Sequence, residues 1–237
     1  MTEQCPRRAV LGLLGSAGVA GLAGCLGGKS VSVLAAGSLG RALEERLGPA
    51  FADESGTTVH GEYHGSAVVV GMVCDQQANP DVAISADAGL LRDRLYPEHA
   101  TWDVVFGANE VGLAYNPETG NRAVAVAYRN MARDRDLPFY ELPAALNFSD
   151  PAHAERYASV AYTTDDGYTV RGSPTLYSAT VLESADNPDA GEAFVQFLLD
   201  SPGLLHKSGL AVPAALPRSH GQAPERLRRQ ANSEASG

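Results

Sequence analysis

Cysteine, lysine and long apolar runs are scarce in this sequence, and each scarcity excludes something. Three cysteines in 237 residues are too few for a disulfide framework, and a chain of this length can bury a core that folds without one. Lys29 and Lys207 are the only lysines; the other 16 of the 18 basic residues are arginine, set against 28 Asp and Glu for a net charge of -10. A diffuse excess of carboxylates argues against a nucleic-acid partner, because neutralising phosphates takes clustered Lys and Arg. Abundant acid with almost no lysine fits a surface kept soluble in concentrated salt, where electrostatic reach falls to about 3 Å. GC-rich codon usage would leave the same bias of arginine over lysine. The longest apolar stretch, Ala9 to Gly24, falls short of the roughly 20 residues that a membrane-spanning helix needs.

What the N-terminus carries is an address. Pro6-Arg7-Arg8 ahead of the short apolar stretch reads as a twin-arginine export signal, in which Arg7 and Arg8 are recognised by a receptor. Leu22-Ala23-Gly24-Cys25 has the form of a lipobox, whose cysteine becomes the lipidated first residue of the mature chain. A buried lipid contributes roughly 0.8 kcal/mol per CH2 and would tether the protein to the outer face of the cytoplasmic membrane. Cys74 is then the one remaining thiol, read as a small buried hydrophobe.

From Ser30 onward strands alternate with helices. Ser30 to Ala35 is a β-type run, Ala36-Gly37-Ser38 breaks it, and Leu39, Leu43, Leu47, Ala50 and Phe51 form one helical face. Thr57 to His64, the break Gly65-Ser66, and a helix over Ala67 to Gln77 with Val69, Val70 and Val73 repeat the plan. Val82 to Asp87 leads into a third helix, Leu90 to Leu95. Farther on, Pro174 to Leu182 reads as a strand, Asn187-Pro188 opens a helix buried through Ala190, Ala193, Phe194, Phe197 and Leu198, and Gly209 ends the next short helix. Arg226-Leu227-Arg228-Arg229 reads as a frayed, solvated end. The pattern is that of an α/β fold with a parallel-rich sheet, whose ligands sit beyond the carboxyl ends of the strands.

The breaks fall at those ends. A helix N-terminus offers unpaired N-H groups and about half a positive charge, so it receives anions. Gly37 and Gly65 let backbone approach a ligand, and Ser38 and Ser66 add hydroxyl donors; either serine alone would be an ordinary N-cap. His60, Glu62 and His64 alternate on one strand face, either as a transition-metal triad or, more simply, as a solvated face. Asp81 and Asp87 suit acid-base work or a cap or turn. No G-x-S-x-G elbow or triad spacing marks a catalytic serine, and no enzymatic chemistry is expected.

Leu34-Ala35-Ala36-Gly37-Ser38-Leu39, His64-Gly65-Ser66, Pro80-Asp81-Val82, Ser85-Ala86-Asp87, Leu95-Tyr96-Pro97, Trp102 and the stretch Asn109 to Tyr115 together resemble the molybdate/tungstate-binding proteins of archaeal ABC importers, the ModA/WtpA group. Tyr128-Arg129, Glu141-Leu142-Pro143, Gly172-Ser173-Pro174, Tyr177 and Ala193 to Leu199 extend the likeness. The resemblance implies a two-lobed periplasmic-binding-protein fold of type II that encloses an oxyanion and hands it to a membrane permease. It implies that Ser38 and Ser66 touch the anion, with Tyr177 near it, and that tungstate or molybdate is the ligand, with no cofactor and no resident metal cation. The protein is expected to be a lipid-anchored monomer.

The chain departs from the family after Tyr115-Asn116-Pro117-Glu118-Thr119. Gly120-Asn121-Arg122 joins directly to the stretch matching Val126 to Arg129, so a middle segment with one ligand carboxylate is missing, and Ala127 stands where the family has a second, Glu. The expected organisation is a signal (1–24), a lipidated linker (25–29), lobe 1 (30–115), a stub of lobe 2 with its crossover (116–136), the rest of lobe 1 (137–220) and a disordered tail (221–237). The alternative is a degenerate lobe without ligand affinity, or a protein-interaction module.

Overall fold

A computed structural model describes residues 29–118, 123–163, 167 and 169–233. Arg7, Arg8, Cys25 and the Gly120-Asn121-Arg122 join lie outside the described residues. In chain order the elements are β1 (Lys29–Ala36), a 3-10 turn (Gly37–Leu39), α1 (Gly40–Ala42), a π turn (Leu43–Leu47), α2 (Gly48–Ser55), β2 (Thr57–His64), α3 (Ser66–Cys74), β3 (Val82–Ser85), α4 (Ala88–Leu95), β4 (Trp102–Ala108) and β5 (Val111–Tyr115). There follow β6 (Val124–Tyr128), α5 (Arg129–Arg133), β7 (Phe139–Glu141), α6 (Ala144–Asn147), α7 (Ala154–Tyr157), β8 (Ala161–Thr163), β9 (Thr169–Arg171), β10 (Leu176–Val181), α8 (Pro188–Asp200), α9 (Pro202–Lys207), β11 (Arg218–Gly221) and α10 (Glu225–Ser233).

The main sheet has the order β11-β4-β10-β3-β1-β2. β1 pairs in parallel with β2 and β3, whereas β10 is antiparallel to β3 and β4, and β11 to β4. Four strands therefore run one way and two the other, the mixed, parallel-rich sheet that the strand-helix alternation implies. Helices cover both faces, so β1 is apolar on both: Val31, Val33 and Ala35 enter one core, Leu34 the other.

Leucines at every fourth position shape the first helical stretch. Residues spaced by four drift about 40° per step around a regular α-helix. The π turn at Leu43–Leu47 takes up that drift, and Leu39, Leu43, Leu47 and Phe51 are each no more than 2% exposed. Phe51 meets Phe194 of α8 edge-on, ring centroids 5.1 Å apart. Pro188 occupies the first turn of α8, and Gly209, at φ +78°, lies just beyond α9.

A smaller unit hangs from the main sheet. β5 is the middle strand of a three-stranded antiparallel sheet, β6-β5-β7, and β8 pairs with β9. The expected boundaries at 116 and 136 fall inside this unit, which takes in β5 and runs on through β9. β5 pairs with β6, the next strand, and with β7 farther on, so the unit begins before Asn116. The tail also differs from expectation: α10 packs Leu227 and Ala231, both 0% exposed, into the main core. Its arginines drew the eye, while the i, i+4 apolar pair beneath them makes the contact. Among the described residues no helix is long and apolar enough to cross a membrane.

Candidate functional site

The register of β1 on β2 sets Ala36 beside His64, so the turns that leave these strands are neighbours. A Cβ added to Gly37 would lie 3.5 Å from the His64 carbonyl oxygen, and one added to Gly65 would meet nothing within 4 Å. Gly65 is extended and caps α3, accepting from the N-H groups of Val68 and Val69 at 2.8 and 3.0 Å. Ser66 then starts α3, and the first N-H groups of a helix have no acceptor within it. The Ser66 hydroxyl accepts from the Ala86 N-H at 3.0 Å, which binds the β3-α4 turn to the same edge. Gly37, Ser38, Gly65 and Ser66 are thus brought together, as the strand-glycine-serine-helix repeat implies.

Behind Ser38 lies a closed polar ring. The Ser38 and Tyr177 hydroxyls are 2.7 Å apart. Asn109 Nδ2 donates to Tyr177 Oη at 3.0 Å and to Asn130 Oδ1 at 2.8 Å, while Asn130 Nδ2 donates to the Ser38 carbonyl at 2.6 Å. Tyr177 and Asn130 are fully buried and Asn109 is 2% exposed. Burial pushes the Tyr177 phenol well above its ordinary range, against the opposing bonds from Ser38 and Asn109. It is therefore a neutral hydroxyl at any physiological pH. These residues sit where the chain passes between the two units: Asn109 just before β5, Asn130 at the start of α5, Tyr177 on β10.

A cavity of about 350 Å³ opens on the Ser66 side of this edge, between the two units, lined by Ser66, Asp87, Tyr128, Arg171, Ser173 and Thr175 among others. Ser38 and Tyr177 do not line it. Burial raises the Tyr128 phenol, the Asp87 carboxylate adds to the effect, and a hydrogen bond with Thr175 opposes it. Asp87 takes the cap role: its Oδ1 accepts from the Leu90 N-H at 3.0 Å and its Oδ2 from the Ser173 hydroxyl at 2.7 Å. A larger hollow, about 540 Å³, lies by Arg133, His206 and Pro213 and contains none of the strand-end serines. Arg129, at its rim, is held by Glu110 and Glu141.

The remaining sequence candidates fall elsewhere. His64 Nε2 meets Glu62 at 2.8 Å on exposed β2, and among the described residues no three His, Cys, Asp or Glu could hold a metal ion. Cys74 is half-buried, its thiol donating to the Arg94 carbonyl at 3.3 Å. Asp81 braces the core (below). Asn130 escaped sequence reasoning altogether, because its partners Ser38 and Asn109 lie 92 and 21 residues away. Asn109, Tyr128 and Ser173 drew notice only as parts of longer motifs.

A parallel-rich α/β body with helix N-termini gathered at one strand edge, and a second unit facing that edge across a cavity, is the architecture of a solute-binding protein. The model of the bacterial extracellular solute-binding protein family matches residues 31–125. An uncharacterised solute-binding protein of Halobacterium salinarum is 36% identical over 302 aligned positions, covering 94% of this chain and 97% of that protein. A Haloferax volcanii protein named as an ABC transporter molybdenum-binding protein is 32% identical over 300 positions, covering 92% and 95%. The fold matches the sulfate-binding protein SubI of Mycobacterium tuberculosis (TM-score 0.54, 12% identity, 78% of this chain and 87% of that one). It also matches a substrate-binding domain from Clostridium difficile assigned to a molybdenum ABC transporter (TM-score 0.53, 14% identity, 77% and 98%). The chain belongs to the extracellular solute-binding proteins, which work outside the cytoplasm and bind without chemistry.

Proposed function

We propose that this protein is the binding component of an ABC importer and takes a tetrahedral oxyanion of the tungstate/molybdate type. The observation that carries the reading is the pairing of the Gly37-Ser38 and Gly65-Ser66 turns at the ends of adjacent parallel strands. Two neighbouring helix starts, with the hydroxyls of Ser38 and Ser66, would replace the water around an anion without needing a lysine. Tyr128 offers a further hydroxyl from the facing unit. The name of the Haloferax volcanii relative supports a molybdenum oxyanion. Asp87 works against anion binding, and its charge is partly offset by the N-terminus of α4 and by Ser173. Export through Arg7 and Arg8, lipidation at Cys25, a monomeric state and delivery to a permease complete the proposal.

The missing middle segment belongs to it too. The alignment with the Halobacterium salinarum relative runs over 302 positions, more than the 237 residues this chain has, which supports an internal stretch of about 80 positions without a counterpart here. The loop between β5 and β6 is where the motifs place it. With that segment gone, affinity rests on few donors, each netting about 0.5 to 1.5 kcal/mol, more to a charged partner.

Thermal unfolding with tungstate, molybdate or sulfate in high salt tests the site. Millimolar anion should raise the melting temperature of the native protein, and Ser38→Ala with Ser66→Ala should abolish the rise. An equal rise in the double variant would place the anion elsewhere.

A further inference from the structure

We propose that Asn109 is a positioning residue: it fixes the direction of the hydrogen bond between Tyr177 and Ser38, so that the Ser38 proton is left for the anion. The inference rests on the oxyanion reading of the Ser38 edge. Its basis is that two backbone groups, whose roles cannot reverse, set the polarity of the whole ring.

The first is the Glu110 N-H, which donates to Asn109 Oδ1 at 3.0 Å. A backbone N-H must meet oxygen, so Nδ2 of Asn109 faces the other way, toward Tyr177 Oη and Asn130 Oδ1, and spends its two protons there. The second is the Ser38 carbonyl, which accepts from Asn130 Nδ2 at 2.6 Å. A carbonyl must meet a donor, so Asn130 presents its oxygen to Asn109, in agreement with the first constraint. Tyr177 Oη therefore receives a proton from Asn109 and cannot return its own. Among the described residues its one other partner is Ser38 Oγ, 2.7 Å away. Fully buried and held neutral by its surroundings, the phenol must place its proton somewhere, and the Ser38 oxygen is the acceptor. Ser38, half-buried at the strand edge, then keeps its own O-H for an acceptor at that edge.

An anion with lone pairs only, such as tungstate, is served by that arrangement; a reversed ring would offer it a lone pair and repel it. Asn109→Asp reverses the Tyr177-Ser38 pair, while Asn130, fixed by the Ser38 carbonyl, keeps its oxygen toward position 109. The new oxygen where Nδ2 stood accepts from Tyr177, Tyr177 then accepts from Ser38, and the Ser38 proton is withdrawn from the site. When the introduced carboxyl is protonated it can donate again and the native polarity returns. Tyr177→Phe removes the phenol but leaves the Ser38 proton free.

Calorimetric titration with tungstate and with sulfate, from pH 9 to pH 6.5, reads this directly. At pH 9 Asn109→Asp should weaken binding by about tenfold to a hundredfold, the worth of one hydrogen bond to a charged group. Binding should recover toward the native value as pH falls. Tyr177→Phe should weaken binding less than Ser38→Ala does and without dependence on pH, and it supplies the test if Asn109→Asp fails to fold. Asn109→Leu, of similar size, separates polarity from packing: a loss equal to that of Asn109→Asp and independent of pH would overturn the positioning role. So would native-like binding by Asn109→Asp at pH 9, or loss in Tyr177→Phe as large as in Ser38→Ala. If the native protein binds no anion, the oxyanion reading itself fails; if it binds and the variants do not separate, only the role of Asn109 does.

Discussion

Asp81 holds three segments of chain with one carboxylate. Its Oδ2 accepts from the N-H and hydroxyl of Ser32 on β1 at 2.8 and 2.7 Å, and its Oδ1 from the N-H of Asn187, ahead of α8, at 2.6 Å. Burial would raise its pKa, but the bonds from Ser32 and Asn187 outweigh it and hold the group below its ordinary value of 3.8. A folded-state pKa below the unfolded one means stability that is present above about pH 4 and lost as pH falls through the folded value. Asp81→Asn should therefore cost about 1 to 3 kcal/mol at pH 7 and make urea unfolding less dependent on acid below pH 4. An unchanged acid profile would mean that other carboxylates set it. Sequence offered Asp81 for acid-base work or as a cap or turn: the cap and turn roles are local, whereas Ser32 and Asn187 stand 49 and 106 residues away.

The elements divide by how local their causes are. β1, α2, β2, α3, β3 and α4 were legible because apolar runs, glycine breaks and i, i+4 stripes lie within each. So was α8, whose proline opens it and whose Phe194 and Leu198 fill the core. The turns at Gly37 and Gly65 were legible for the same reason, since the glycine and serine sit beside the strands they end. β7, β8 and β9 are three residues each and exist only through their partners. α10 was misread because four charged residues flank the two that matter most. Leu227→Ala should cost about 2 to 5 kcal/mol in urea unfolding; a loss under about 0.5 kcal/mol, typical of a surface position, would show α10 to be undocked. β6 poses the opposite problem. It is an edge strand without charge or proline, Val124 and Val126 are 57% and 73% exposed, and Tyr140 beside them is 63% exposed. That apolar face borders the loop between β5 and β6, and it is the surface most prone to unwanted pairing.

Across the molecule, the main sheet supplies the helix starts, the smaller unit supplies the facing wall, and the ring of Ser38, Tyr177, Asn109 and Asn130 sits where the chain passes between them. Of the ring, Asn130 belongs to the smaller unit, on α5, so movement of that unit reaches Ser38 through the bond from Asn130 to the Ser38 carbonyl. The acid excess of the sequence belongs to the solvated surface, and the proposed anion site is built instead from backbone N-H groups and hydroxyls. Position is what the account most depends on. Crystals grown with tungstate and measured above the tungsten absorption edge should show one strong anomalous peak between the Ser38 and Ser66 hydroxyls, absent from the Ser38→Ala, Ser66→Ala variant. A peak at another place, such as the hollow beside Arg133 and His206, or no ordered tungsten at all, would contradict it.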